Sequence, residues 1–172
     1  MSLQDSDKKI SEPILLIKTS RFGNIEVGAS KIIQFPSGLV GYEKPQIFAL
    51  FDYHTPFHWL QSIDDPELGF VVLDGLAISK EFEMQPPYGD PDTDLQEGDE
   101  YAVILIVNLK EPVTKSTVNL AAPLFVNMKN RRGVQVVYDD PKLSIQHPLF
   151  PPEVIEAAKS SSKEEKEEKK QE

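Results

Sequence analysis

The chain contains no cysteine among its 172 residues. Disulfide bonds, thiolate metal sites and catalysis by a cysteine nucleophile are therefore excluded. Long apolar runs are also lacking, because the longest is YAVILIV at 101–107 and a membrane-spanning helix needs about 20 apolar residues. The polar start of the chain, MSLQDSDKKISE, lacks the apolar core of a signal peptide. We therefore expect a soluble, cytoplasmic protein that does not associate with a membrane.

The sequence motifs of common enzyme classes are absent as well. The glycines form no Gly-x-Ser-x-Gly elbow, no phosphate-binding Gly-x-x-x-x-Gly-Lys and no Gly-x-Gly-x-x-Gly. His54 and His58 have a metal-ligand spacing for a helix, but in an extended chain they lie roughly 13 Å apart. We therefore expect a protein that is not an enzyme and needs no cofactor.

One catalytic alternative stays open. The carboxylates of Asp64, Asp65, Glu67 and Asp74 offer the oxygen ligands that calcium and magnesium prefer. Their spacing does not match an EF-hand loop, and a turn between two strands explains the Asp-Asp-Pro-Glu sequence more simply. The alternative function is an acidic metal-dependent hydrolase on a β-barrel.

The formal net charge of −10 is unevenly distributed. Residues 52–100 contain thirteen Asp or Glu and one basic residue, Lys80, whereas residues 159–172 contain five Lys and five Glu. The negative charge therefore belongs to the folded middle of the chain. Such a surface repels phosphate backbones and attracts basic proteins, so we expect protein partners and no direct contact with nucleic acid.

Short runs of β-branched and aromatic residues recur along the chain, separated by turns rich in Gly, Pro, Asn and Asp. The runs lie at 14–18, 24–27, 31–35, 47–52, 57–63, 69–74, 101–109, 117–127 and 134–138. They predict a mainly β protein: a single-domain antiparallel β-barrel or sandwich of about nine short strands, with a short C-terminal helix and a mobile tail. The run at 101–107 is apolar throughout, which is typical of a strand buried on both faces.

Composition divides the chain into three parts. We expect a disordered N-terminal extension at 1–12, a β domain at 13–152, and a Lys/Glu-rich C-terminal helix or disordered tail at 153–172. The longest connection, 79–100, contains three prolines and eight acidic residues, and long connections in compact domains are often functional. We place any regulatory loop there.

Six segments in order carry a family resemblance. They are IKTSRFGNIEV at 17–27, IIQFPSGLVGYE at 32–43, PFHWLQSIDDPELGFVVLD at 56–74, TVNLAAPLFVN at 117–127, RRGVQVV at 131–137 and HPLF at 147–150. Together they resemble the FliW family of bacterial flagellar assembly factors, and the Trp-Leu-Gln-Ser-x-Asp-Asp-Pro segment is the most specific of them. Strand alternation also places Trp59, Gln61 and Ile63 on one face, so Gln61 is either a rim residue or a satisfied buried amide.

The resemblance implies a protein that works by switching partners. Members of the family bind flagellin and the translational repressor CsrA, a basic RNA-binding dimer, and antagonise CsrA to relieve repression of flagellin translation. We expect partner binding near the exposed acids Asp64, Asp65 and Glu67. Three polar residues expected to be exposed, Gln61, Asn119 and Asn127, belong to the same prediction, and Tyr88 in the acidic connection is a second candidate.

Overall fold

The computed structural model describes residues 12–44 and 46–171. The predicted disordered extension at 1–12 therefore lies, except for Glu12, outside the described residues. Glu12 itself is tied to the fold, because its side-chain carboxylate accepts a hydrogen bond from the backbone N–H of Ser30 at 2.8 Å. Hydrogen bonding to the Ser30 side chain and, second, to its backbone N–H lowers the pKa of the Glu12 carboxyl below its ordinary value.

Eleven strands and two α-helices are described. The strands are β1 Ile14–Thr19, β2 Gly23–Gly28, β3 Ile32–Phe35, β4 Gln46–Asp52, β5 Phe57–Ser62, β6 Gly69–Asp74, β7 Tyr101–Asn108, β8 Thr117–Val118, β9 Leu124–Asn127, β10 Arg132–Gln135 and β11 His147–Pro148. The helices are α1 Leu76–Glu81 and α2 Pro152–Gln171. The prediction of a mainly β protein with a C-terminal helix is confirmed.

Seven strands close into a barrel in the order β7-β6-β5-β4-β3-β10-β9, and β9 pairs back with β7. Six of the seven pairings are antiparallel. The exception is β3–β10, which is parallel and has a single registered residue pair, Gln34 with Arg132. Strands β8 and β11 extend the sheet from β7, and β1 and β2 form a separate hairpin. The barrel alternative of the prediction is therefore correct.

The interior of the barrel is filled by alternate residues of each strand, as the strand period of two requires. Phe35, Phe48 and Leu60 are fully buried there, and the Phe35 and Phe48 rings meet edge to face at 5.7 Å. Gly133 of β10 faces this pair, because a Cβ atom at Gly133 would lie 2.5 Å from Phe35 Cε1. Glycine is required at this position for space.

A second apolar layer covers the outer face of β7. Ile104 belongs to the interior of the barrel, whereas Val103 and Leu105 pack outward with Leu120 and Phe125. Both faces of β7 are therefore buried, as its unbroken apolar sequence predicted. The β1–β2 hairpin packs separately, through Ile17 and Val27, against Ala49 on the outside of the barrel.

Two local assignments from the sequence were wrong. The run at 117–127 is not one strand, because Asn119 turns the chain between β8 and β9 by accepting hydrogen bonds from the backbone N–H groups of Ala121 and Ala122 at 3.0 and 3.2 Å. Helix α1 was missed, since its six residues are too few to show a helical period. Among the described residues, no helix is both long enough and apolar enough to cross a membrane.

Candidate functional site

The acidic turn, residues 63–68, joins β5 to β6 and contains the three predicted acids. Backbone hydrogen bonds fold it tightly, from Ser62 N–H to the Leu68 carbonyl at 2.9 Å and from Leu68 N–H to the Asp65 carbonyl at 3.1 Å. The Ser62 hydroxyl accepts a further bond from Asp65 N–H at 3.0 Å. The turn therefore has a fixed backbone shape, although its side chains are at the surface.

Gln61 lies beneath the acidic turn and is only 1% exposed. Its Nε2 group lies 3.1–3.3 Å from four backbone carbonyl oxygens, those of Ser62, Asp65, Pro66 and Leu68. Its Oε1 accepts a bond from the indole N–H of Trp59 at 2.9 Å. The expectation that Gln61 is exposed is wrong, because the chain folds around its amide. Of the two alternatives derived from strand alternation, the satisfied buried amide is correct.

The three acids of the turn are exposed but not equivalent. Asp65 has a structural part, because its Oδ1 accepts a hydrogen bond from Glu67 N–H at 3.0 Å. Within the described part of the chain, the carboxylates of Asp64 and Glu67 form no hydrogen bond or ion pair. Asp64 also borders a shallow depression that contains Arg132. The side chains of Asp64 and Glu67 are therefore free to meet a partner.

The two predicted asparagines are not exposed polar positions. Asn127 is 2% exposed, and its Nδ2 donates to the Thr93 carbonyl at 3.0 Å while its Oδ1 accepts from Lys129 N–H at 3.0 Å. Asn119 is half-buried and its side-chain oxygen caps the turn after β8. Both side chains are used by the fold. The physical reason is that each amide satisfies backbone groups that a bend in the chain leaves without partners.

The predicted residues do not form one surface. The acidic turn lies at the C-terminal end of β5, whereas Asn127 pairs with Tyr101 at the start of β7, beyond the other end of β6. Tyr88 is 45% exposed and belongs to the connection at 82–100, which passes near Asn127 through Thr93. The structure therefore separates the two candidate surfaces that the sequence proposed.

The four acids of the metal alternative are separated as well. Asp74 is at the far end of β6, and a strand of that length extends about 17 Å from the acidic turn. Among the side chains that the structure describes, no group of three or more His, Cys, Asp and Glu is placed to hold a metal ion. His58 instead pairs with Asp52, with Nδ1 and Oδ1 3.1 Å apart.

Arg21, in the turn between β1 and β2, was not predicted from the sequence. Its guanidinium is centred 5.0 Å from the Trp59 ring and 5.5 Å from the Tyr53 ring, and its Nη2 donates to the Tyr53 hydroxyl at 2.7 Å. Ser20 N–H donates to the Pro66 carbonyl at 2.9 Å, which joins the β1–β2 turn to the acidic turn. The β1–β2 turn therefore contacts the acidic turn through its backbone, while the exposed Arg21 guanidinium is oriented by the rings of Trp59 and Tyr53. A single arginine in a turn gives no signal that local sequence could reveal.

Comparison with known proteins gives one consistent result. The family model described as "FliW protein" matches residues 16–149. Proteins named "Flagellar assembly factor FliW" from Desulfitobacterium hafniense and Oceanobacillus iheyensis are 36% and 37% identical over 140 and 134 residues. These matches cover 78% and 76% of this chain, and 91% and 90% of those proteins. A crystal structure of the flagellar assembly factor FliW, 29% identical in sequence, superposes with a TM-score of 0.67 and covers 80% of this chain and 98% of that one.

Proposed function

The chain belongs to the FliW family of flagellar assembly factors, and from that membership we propose that it is a non-catalytic cytoplasmic regulator that binds flagellin and CsrA. Bound to this protein, CsrA releases flagellin messages for translation. When flagellin accumulates it occupies the protein instead, and CsrA is again free to repress. Secretion of flagellin reverses the exchange.

The acidic turn is the observation that supports binding of a basic partner. Asp64 and Glu67 are exposed, and the backbone beneath them is fixed by Gln61. Little conformational entropy of this backbone is lost on binding, because it is already ordered in the free protein. Positive charge on an RNA-binding protein is drawn to such a surface at long range.

A second surface is available for the other partner. Tyr88 is exposed on the connection at 82–100, which has a strongly negative composition and lies away from the acidic turn. Tyrosine is enriched at protein interfaces because it offers a large contact area and one polar group. Because the two surfaces are separate, the exchange requires that one bound partner blocks the approach of the other.

Charge reversal tests the acidic turn. We expect Asp64→Lys combined with Glu67→Lys to weaken CsrA binding about tenfold or more, since each change removes an attraction and adds a repulsion. Isothermal titration calorimetry measures the affinity, and differential scanning calorimetry measures the melting temperature, which should stay unchanged.

The control is a second double reversal, Glu26→Lys with Asp139→Lys, which changes the net charge equally at exposed sites elsewhere. An equal loss of affinity in both variants would show that only net charge matters. A fall in melting temperature that matches the loss of binding would show that Asp64 and Glu67 serve the fold.

Titration of flagellin into a preformed complex with CsrA tests the exchange itself. Release of CsrA in proportion to added flagellin is the expected result, and size-exclusion chromatography with light scattering measures it. A stable ternary complex would contradict the exchange, although it would leave both individual interactions in place.

A further inference from the structure

The barrel has a cavity at the mouth opposite the acidic turn, with a volume of about 300 Å³. Its floor is apolar and comes from the inward-facing residues of several strands, including Ile33, Leu50, Val72, Ile104 and Val126. Small-molecule sites in proteins start at about this volume, and they occur in the mouths of β-barrels. The cavity lies away from the acidic turn and borders the connection at 82–100 at Glu100.

Arg131 supplies a cation at the wall of this cavity. The side chain is half-buried, and burial lowers the pKa of the guanidinium below its ordinary value. Its Nε donates to the Ile32 carbonyl at 3.3 Å and its Nη1 contacts Met128 Sδ at 3.7 Å. In the described part of the chain, no carboxylate lies within ion-pair distance of the Arg131 guanidinium. Most of the guanidinium N–H donors are therefore available to a ligand.

The carboxylates and the imidazole at the cavity are already engaged or open to solvent. His58 is paired with Asp52, and Asp74 Oδ1 accepts a hydrogen bond from Leu76 N–H at 3.0 Å. Asp74 and Glu100 are exposed, so their charges are screened by water and salt. The half-buried charge of Arg131 is less screened than these rim acids.

We propose that this cavity binds a compact organic monocarboxylate. The apolar body of the ligand rests on the side chains of the floor, and its carboxylate is held by Arg131. Guanidinium and carboxylate groups form charge-assisted, often bidentate hydrogen bonds, which are the strongest that an arginine makes with an organic acid. A ligand that also carries an ammonium group, as an apolar amino acid does, places that group near the exposed acids Asp74 and Glu100.

Three probes of matched size separate these chemistries: 3-phenylpropanoate, phenylalanine and the neutral 3-phenylpropan-1-ol. Each is titrated into the full-length chain near neutral pH without any protein partner, and methyl NMR shifts of Leu50, Val72 and Val126 are followed. We expect saturable shifts with the carboxylates and affinity about tenfold or more weaker for the alcohol. If phenylalanine binds more tightly, the ligand of the cavity is an amino acid. If 3-phenylpropanoate binds more tightly, the ligand is a simple carboxylic acid.

Two adjacent arginines provide a matched pair of variants. Arg131→Gln should weaken carboxylate binding about tenfold or more, whereas Arg132→Gln, with the same loss of charge outside the cavity, should leave it unchanged. Because Arg131 also bonds to the Ile32 carbonyl, its replacement can disturb folding. Ala102→Leu provides a second test, since it fills the cavity without touching the cation and should abolish binding of all three probes.

Several results would overturn the proposal. These are the absence of saturable shifts at the cavity methyl groups, equal affinities of the Arg131→Gln and Arg132→Gln variants, and binding of the alcohol as tight as that of the acid. A different result would assign the cavity to a side chain of a protein partner instead. In that case no probe binds the wild type, and Ala102→Leu no longer binds the partner. The probe titrations themselves do not depend on whether flagellin or CsrA binds.

Discussion

At the scale of single residues, the amide of Gln61 determines the shape of the acidic turn. Four backbone carbonyls converge on its Nε2 group, and its oxygen accepts the indole N–H of Trp59. The two amide hydrogens are shared among these acceptors, so the side chain is fully used inside the protein. The exposed carboxylates of Asp64 and Glu67 are therefore held on a platform that a buried residue organises.

Replacing Gln61 with methionine keeps the approximate volume and removes the polar group. We expect Gln61→Met to lower the free energy of unfolding by about 2–4 kcal/mol, because buried carbonyls and the Trp59 N–H lose their partners. Urea denaturation measures the change. Gln34→Met, at an exposed position of β3, is the control and should change stability by about 0.5 kcal/mol or less. Similar losses in the two variants would show that the amide bonds contribute little.

At the scale of elements, the acidic connection at 82–100 is ordered although it contains no strand or helix. Leu95 and Thr93 are fully buried, and the Tyr138 hydroxyl donates to the Gln85 carbonyl at 2.6 Å. The side-chain amides of Asn127 and Asn130 both donate to the Thr93 carbonyl, at 3.0 and 2.8 Å. A few buried groups therefore hold a segment whose acids are exposed or half-buried.

Asn127→Ala should loosen this connection. We expect a loss of about 1–3 kcal/mol in the free energy of unfolding, since the removed amide also satisfies the backbone N–H of Lys129. Hydrogen–deuterium exchange should become faster across 84–99 and stay unchanged in the β1–β2 hairpin. Asn108→Ala at the exposed end of β7 is the matched control. Unchanged exchange at 84–99 would show that Leu95 and Tyr138 suffice to hold the segment.

Local sequence predicted the strands well and the burial of the Asn127 side chain poorly, for physical reasons. Alternation of side chains correctly placed Trp59 and Gln61 on one face, because the strand period is a local property. The partner of Asn127 is the Thr93 carbonyl, which lies 34 residues away, so no local pattern could reveal that this amide is buried. The inward position of His58, by contrast, followed from the same alternation and could have indicated the barrel mouth.

At the scale of the whole molecule, two half-buried phenols couple stability to pH. Burial raises the pKa of Tyr138 above its ordinary value, and the nearby Tyr101 raises it further. Burial also raises the pKa of Tyr101, with a smaller effect from Tyr88. A raised pKa means that the folded state holds its proton more tightly than the unfolded state does.

The direction of the pH effect follows from these shifts. The stabilising contribution is fully present below the unfolded pKa of tyrosine, about 10, and is lost as pH rises through the folded values. We therefore expect the free energy of unfolding to fall above about pH 10 and the fall to be smaller in Tyr101→Phe with Tyr138→Phe. Urea denaturation across this range measures it. Tyr42→Phe is the control, and an identical pH profile in the double variant and the wild type would exclude the two phenols as its source.

Closure of the barrel depends on its shortest junction. Strands β3 and β10 meet at one registered residue pair, whereas β4 and β5 share five. A ring opens when any one junction separates, so separation of β3 from β10 would leave a curved open sheet with two unpaired edge strands. Each unpaired edge strand can then pair with an edge strand of another copy. The junction where the ring is completed is thus also where association between partly opened molecules would begin.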